Sequence, residues 1–523
     1  MFLQFRYLPA MLRVGATFCG AMLITFANTW GANLSANPPN QTAPEREEFL
    51  SLADAVLRAL EHNVDITIGR RTRAIRLTDI IFERAKFDPT VNLSFQTQRS
   101  FQPLNRPFFG VTGERLSEPM ALETRQAQMN LALTQRVLTG ANYELKFNPQ
   151  RTLIAGASGF LFNPGYSSDL TFNLSQPLLR DLGPKVNKTP IRIAQSNAKV
   201  EDYVFLDKVL TIIGTVEQAY WELVFANENL KVAQASLSAA EELLASNRAK
   251  AQSGFMSVVD VLQAEAAVAS RKEQVLLAEK AIRDQEDQLR RLMNPGQGEL
   301  RRQVRLNLLD QPVQVSESIN LDDAIETALQ KRPEVLQAKK TVETGDLQVN
   351  FAKNQVLPVL AIQGSAGLSG LGSEPSDMIN RNFGGDFYNW GVGLILSYPI
   401  GNRSAWSQFT KSQLEAQNAQ SSLENAQQQV ILSVKEAVRR VQTDFKRIET
   451  TRAARILAEK QLLAEQERLK LGLSITRYVV DFQRDLATAR ANLVRAIVDY
   501  NKSLSNLARN KASTLELYNI ALQ

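Results

Sequence analysis

The 523-residue chain has one cysteine, Cys19, and one histidine, His62. That scarcity excludes a disulfide framework and removes most of the thiolate and imidazole chemistry behind metal sites and nucleophilic enzymes. His62 sits in the polar stretch ALEHNVD and reads as an exposed helix-end residue. Long apolar runs are also missing. Beyond the N-terminal segment nothing reaches the ~18 apolar residues of a membrane-spanning helix. If such a chain crosses a bilayer, it does so as a closed β-barrel. Charge of one sign is absent too, since 60 Lys and Arg face 54 Asp and Glu, for a formal +6. No basic patch interleaved with aromatics marks a nucleic-acid surface. The Gly-rich GSAGLSG (364–370) has no following Lys and opens no helix, so it is not a phosphate loop.

What is present is a folding chain, 44% hydrophobic and 22% charged. At the N-terminus Arg6 and Arg13 precede the apolar run Val14–Phe26, and small residues come after it. This layout predicts a secretory signal peptide over 1–32, cut after Ala27, Ala32 or Ala36, with Cys19 removed. The anchor alternative needs a longer apolar run, and a lipoprotein reading is opposed by Phe18 before Cys19 and the apolar run after it. A linker, 33–50, comes next.

The rest of the chain repeats itself. SLADAVLRALEHN (51–63) matches NLDDAIETALQKR (320–332), and the same offset of 269 pairs Phe82 with Phe351 and Pro89 with Pro358. Further on the offset is 218, pairing Val216 with Val434, Gly254 with Gly472 and Leu289 with Leu507. The difference of 51 residues locates extra chain in the strand region of the first copy. The copies are expected over 51–293 and 321–510, with a connector at 294–320 and a tail at 511–523.

Within each copy a seven-residue apolar stripe runs through long helical stretches. It reads Val216, Leu223, Leu230, Leu237, Leu244 in the first and Val434, Val441, Ile448, Arg455, Leu462 in the second. After each glycine it resumes, as Val261, Val268, Val275, Ile282, Leu289 and as Val479, Leu486, Leu493, Tyr500, Leu507. A 3.5-residue period means packed, gently supercoiled helices, and an ordinary coiled coil is one reading of it. The lengths favour another. Helices predicted over 190–253 and 404–471 reach ~96 and ~102 Å at ~1.5 Å per residue. Those over 257–293 and 475–510 reach ~55 Å, and those over 51–86 and 321–353 reach ~50 Å. A short helix stacked on another equals one long helix, giving four rods suited to a closed wall.

Between the helices the period becomes two. PTVNLSFQTQ (89–98), AQMNLALTQRV (127–137), ANYELKFNPQ (141–150) and SDLTFNLSQPLL (168–179) read as strands, as do PVLAIQGSAGL (358–368) and NWGVGLILSYPI (389–400). Alternating segments of this length are the signature of a membrane β-barrel. Phe108, Phe109, Phe160, Phe162, Tyr166, Phe387, Tyr388 and Trp390 near strand ends suit an aromatic girdle, or the core of a soluble sandwich.

In order and duplication, the paired starts LADAVLRAL and LDDAIETAL, the strand ends SQPLLRDLGP and SYPIGNRSA, and the tips GFMSVVDVLQAE and GLSITRYVVDFQRDL resemble the TolC family of outer-membrane efflux proteins. The resemblance runs from about Ser51 to Asn510. It implies a mainly α fold with β: a homotrimer whose outer-membrane β-barrel, four strands per protomer and twelve in all, continues into a long periplasmic α-helical barrel. The glycines then mark hairpin tips at the periplasmic mouth. There the family docks a periplasmic adaptor (a membrane fusion protein), here onto Lys250, Gly254, Phe255 and Ser257 with Lys470, Gly472, Leu473 and Ser474. The family's acidic constriction falls six and nine residues after the second glycine, where this chain has Tyr478 and Asp481. The first tip has Asp260 at the sixth step and Gln263 at the ninth. Six strand-like segments exceed the family's four, and the surplus hairpin around 127–150 enlarges the barrel, folds over its outside or lengthens an external loop.

The function implied is passive: an exit channel for an inner-membrane pump, in tripartite efflux or type I secretion, with no chemistry and no cofactor or metal. A periplasmic coiled-coil scaffold without a pore is the alternative. It predicts one helical hairpin beside small β-domains, whereas this chain duplicates both hairpins and strand groups.

Overall fold

The duplication is visible helix by helix in the computed structural model, which describes residues 46–103, 121–155, 160–301 and 304–520. The expected signal peptide, Cys19, Phe108 and Phe109 lie outside the described residues. Every element belongs to the compact unit Glu47–Gln523, apart from Arg46 at the start of the first strand.

Strand β1 (Arg46–Leu50) pairs with β6 (Val304–Leu308), so the predicted linker ends in a strand. Leu50 is fully buried, and its carbonyl accepts from the Leu309 amide at 3.1 Å. The expected continuous helix over 51–86 is two helices, α1 (Leu52–His62) and α2 (Val64–Ala85). Asn63 divides them. It is extended (ψ 130°), its side chain caps α2 through the Asp65 amide, and its Nδ2 binds the Leu292 carbonyl at 2.9 Å. The second copy breaks at the same place, between α7 (Leu321–Lys331) and α8 (Pro333–Gln355). There Pro333 forces Arg332 out of the helical region.

A four-residue helix α3 (Pro184–Asn187) leads into α4 (Thr189–Gln252), 64 residues with Pro190 in its first turn. Helix α5 (Val258–Met293) returns, and the short α6 (Gln297–Leu300) opens the connector. The second copy repeats this with α10 (Arg403–Lys470), 68 residues, and α11 (Thr476–Asn510). A last turn, α12 (Thr514–Leu517), lies in the C-terminal tail. Helix α8 packs between α4 and α10 at one level, and α11 packs between the same two helices at the other. In the first copy α2 and α5 pack on α4, and neither packs extensively on α10.

Burial tracks the seven-residue stripes. One core joins α1, α4 and α5 around Val216, Tyr220, Leu223 and Leu289. Another joins α7, α8, α10 and α11 around Val434, Val441, Ile448 and Tyr500. A small third core, Leu462, Val479 and Leu486, sits near the glycine turns. The connector is held by both tyrosines: Tyr220 Oη donates to Asp310 Oδ2 (2.8 Å) and Tyr500 Oη to the Val315 carbonyl (2.7 Å).

The strands β2 (Thr90–Pro103), β3 (Ala121–Arg136), β4 (Asn142–Ala155), β5 (Gly165–Pro177), β7 (Val359–Gly372) and β8 (Tyr388–Ser397) form one antiparallel sheet in that order. Its register sorts the side chains onto two faces. Leu93, Leu131, Phe147, Leu170, Leu368 and Tyr388 lie on one row and face. The opposite face is polar and bonded across strands: Gln128 Nε2 to Gln96 (3.0 Å), Gln126 Nε2 to Gln150 (2.8 Å), and Asn173 Nδ2 to Glu144 (3.1 Å). Between β7 and β8 lies a ten-residue helix, α9 (Pro375–Gly384). Asn382 of that helix is fully buried, with Nδ2 on the Ser168 carbonyl at 3.0 Å.

Candidate functional site at the helix tips

Both glycine turns are the same backbone device. After α4, Gly254 has φ +79°, its amide bonds the Ala251 carbonyl (3.0 Å), and the Phe255 amide bonds that of Lys250 (2.9 Å). After α10, Gly472 has φ +73°, with Gly472 N on Leu469 O (3.2 Å) and Leu473 N on Arg468 O (2.8 Å). This paired closure satisfies the last carbonyls of each long helix and needs a residue that enters the left-handed region without strain.

Beyond the glycines the two turns differ. Ser257 caps α5, accepting from the Val259 and Asp260 amides at 3.1 and 3.3 Å. The matching position before α11 is Ile475, which offers no side-chain cap. Instead Ser474 Oγ donates to the buried Glu465, which also pairs with Arg468 at 3.3 Å. The tips themselves are apolar and bare: Phe255 is 85% exposed and Leu473 67%, with Val258, Leu471 and Ile475 exposed beside them. Lys470 is exposed and pairs with Glu467 (2.6 Å), while Lys250 is half-buried.

Tyr478 is 53% exposed. Asp481 is partly covered and pairs with Arg484 at 3.3 Å, one turn along its own helix, and Arg484 also reaches Asp485 at 3.4 Å. Behind them Arg271 of α5 is buried, and burial, helped by the charge of Arg484, lowers its pKa. Asp260, Tyr478 and Asp481 make no hydrogen bond or ion pair with one another among the described residues.

The two tips meet through residues that the sequence motifs do not single out. Asn247, 1% exposed, donates Nδ2 to Thr476 Oγ1 at 3.0 Å and to the Asp260 carbonyl at 3.4 Å. Further up, Gln483 donates Nε2 to the Ala239 carbonyl at 3.1 Å. A signal for Asn247 did exist: it ends a second seven-residue stripe, Ala219, Ala226, Ala233, Ala240. A lone amide in such a stripe fixes register between helices at some loss of stability. Thr476 and Gln483 are likewise seven apart and buried.

Near the connector, Glu217 is buried and accepts from Tyr518 Oη at 2.7 Å. Burial pushes the Glu217 carboxyl up. Glu222 differs: burial alone would raise it, but hydrogen bonds from Lys502 and Arg495 of α11 outweigh that and lower it. These groups tie helices together. None converges on a pocket suited to bond-breaking chemistry among the described residues, and no His, Cys, Asp or Glu cluster there has metal-site geometry.

Comparison with known proteins agrees with the duplicated architecture. The family model "Outer membrane efflux protein" matches residues 56–295 and 324–510, one block per copy. Nodulation protein T of Rhizobium leguminosarum bv. trifolii is 23% identical over 364 residues, 67% of this chain and 73% of that protein. Outer membrane protein TolC of Vibrio cholerae is 23% identical over 317 residues, 60% and 70% of the two chains. Among solved structures, the Campylobacter jejuni CmeC outer membrane channel superimposes with a TM-score of 0.64 at 16% identity, over 88% of this chain and 85% of its own. A pore-free scaffold finds no support in these matches. The chain belongs to the outer membrane efflux protein family and is an outer-membrane efflux channel.

Proposed function

We propose that three copies close into a trimer, with the sheets as an outer-membrane barrel and the helices as a periplasmic tunnel. Through it substrates pass passively from a periplasmic adaptor and inner-membrane pump to the exterior. The observation that carries this reading is a matched pair of unfinished sides. Among the described residues, strands β2 and β8 each have one partner, which leaves two open sheet edges that lipid cannot solvate. On the side of β2, helix α2 bears Ile68, Ile75 and Phe82, seven apart and exposed. Their counterparts on α8, Gln337, Thr344 and Phe351, are covered in a helix held between α4 and α10. On the side of β8, α10 exposes Trp406 and Leu414. A second copy set head-to-tail repeats around α2 the packing that α8 already has, and a rotation that closes makes a ring.

In that ring the apolar tips face the periplasm, and Phe255, Val258, Leu471 and Leu473 fit the hairpin ends of an adaptor. Asp481 projects near the mouth with Tyr478 beneath the turn, and Arg484 offsets part of its charge. Opening separates the two tip hairpins at the Asn247–Thr476 contact, a shift between two packings.

Single-channel recording in planar bilayers, with native mass spectrometry of the same outer-membrane preparation, tests the reading. The expected result is a trimer with a small, cation-preferring conductance whose preference falls in Asp481→Ala. A pore indifferent to that substitution moves the constriction elsewhere. A folded trimer that forms no pore overturns the duct.

A further inference from the structure

We infer that the β3–β4 hairpin is part of the barrel wall, so that the assembled barrel has eighteen strands instead of twelve and is ~1.5-fold wider. The inference rests on the proposed trimer.

Strand β2 pairs with β3 along its whole length, from Thr90↔Thr134 to Pro103↔Ala121, and β4 pairs with β5 from Asn142↔Ser175 to Thr152↔Gly165. The hairpin is therefore interposed between its neighbours and is neither laid over them nor hung from them. Its side chains also sort as the wall requires. Leu131, Leu145 and Phe147 share the apolar face of the sheet, while Gln128, Asn130 and Lys146 share the polar one. That alternation is what a strand between lipid and lumen requires.

The hairpin turn reaches the level at which the sheet meets the helices. Gly183 donates its amide to the Thr139 carbonyl (2.9 Å), Arg136 binds Asn187 (2.8 Å), and Gln135 Nε2 binds the Phe87 carbonyl (2.9 Å). A hairpin that merely lengthened an external loop would not be pinned there.

Width explains why six strands suit this chain. Strands ~4.8 Å apart and tilted ~40° each take ~6.3 Å of circumference, so six span ~38 Å and four only ~25 Å. Below them each copy contributes four rods: α4, α10, α8 in line with α11, and α2 in line with α5. At ~9–10 Å between axes these span ~36–40 Å. Six strands thus span about the arc of the helices beneath them. The exit barrel then has the bore of the tunnel, and selection by size falls to the helix tips.

Single-cysteine labelling in intact outer membranes tests this, using a charged, membrane-impermeant maleimide and the parent chain as background. Gln128→Cys, Asn130→Cys and Lys146→Cys are expected to label, and Leu131→Cys, Leu145→Cys and Phe147→Cys to be protected. Native mass spectrometry of each variant counts the copies. Alternating labelling in a trimer supports eighteen strands. Labelling at all six positions in a trimer puts the hairpin outside the wall and overturns the inference while the trimer stands. Alternation in an assembly of another size overturns the strand number through the trimeric reading, not through the hairpin.

Discussion

The two copies within this chain share a helical plan and differ in what they attach to it. Helices α4 and α5 of the first copy match α10 and α11 of the second nearly residue for residue in length, and both long helices end in the same glycine closure. Yet among the described residues the first copy carries four strands of the large sheet and the second two. The first buries Glu217 at a position where the second exposes Lys435. The first caps its return helix with Ser257 where the second has Ile475. The shared parts are those that any rod in a helical wall needs. The differing parts lie in the sheet, at the connector and at the helix tips, and in the proposed duct these are the places where the two halves have separate tasks.

The largest effect is expected where the copies differ most, at the turn of the additional hairpin. Gly140 has φ +92°, and a Cβ there would overlap the Asp181 carbonyl oxygen and stand 2.9 Å from Pro177 Cγ. Backbone strain of ~1–3 kcal/mol adds to that clash, so Gly140→Ala is expected to lose more than ~3 kcal/mol. The check is the amount of folded protein in outer membranes. A variant recovered at parental levels would show that the turn is not held against the α3 junction.

Next comes the contact that joins the copies. Asn247→Leu removes a buried donor and leaves the buried Thr476 hydroxyl without its partner, at about 1–3 kcal/mol. Since that contact holds one tip hairpin to the other, the variant is expected to open more often, read as a higher mean conductance. Thr476→Val, which removes the opposite partner, is expected to do the same. Unchanged conductance in both would separate the contact from the gate.

The buried acid gives a pH-dependent comparison. Burial raises the Glu217 carboxyl above its ordinary value of 4.5. A raised carboxyl favours the native state while protonated, and that contribution is lost as pH rises through the folded value. Glu217→Gln is expected to flatten this dependence and change stability by about 1–2 kcal/mol above that range. Lys435→Gln, at the exposed counterpart, is expected to leave the profile as it was. Thermal unfolding across pH 4–8 checks both.

Much of this architecture is legible in the residues because its long elements are periodic. The seven-residue stripes give the long helices and their cores, the glycines give the tips, and the period of two gives the strands. The rest depends on partners far apart in sequence. Asn63 breaks the first helix because it caps one helix and binds Leu292, over 200 residues away. Strand β1 exists because β6 pairs with it. The Asn247–Thr476 contact joins residues 229 apart, and only the polar interruption of an alanine stripe hints at the first of them. Among the residues singled out at the tips, Tyr478 and Asp481 stand three apart on α11 and Asp260 sits on α5, and in the proposed trimer what they face depends on the neighbouring copies.

The smallest effect is the sharpest comparison, because it asks whether one tip can be made into the other. Ser257 satisfies two amides at the start of α5, and its loss in Ser257→Ala is expected to cost about 1 kcal/mol of local stability. Ile475 leaves the first amides of α11 without such a cap, so Ile475→Ser adds one and is expected to gain somewhat less than ~1 kcal/mol, because it also gives up an exposed apolar contact surface. Hydrogen exchange at the first turns of α5 and α11 measures both, with protection falling in the first variant and rising in the second. Capture by the proposed adaptor separates stability from docking. If Ile475 serves as part of the apolar tip, Ile475→Ser protects the helix and yet weakens adaptor capture. If protection and capture rise together, the missing cap at the second tip is a weakness of that helix start and not a concession to its partner.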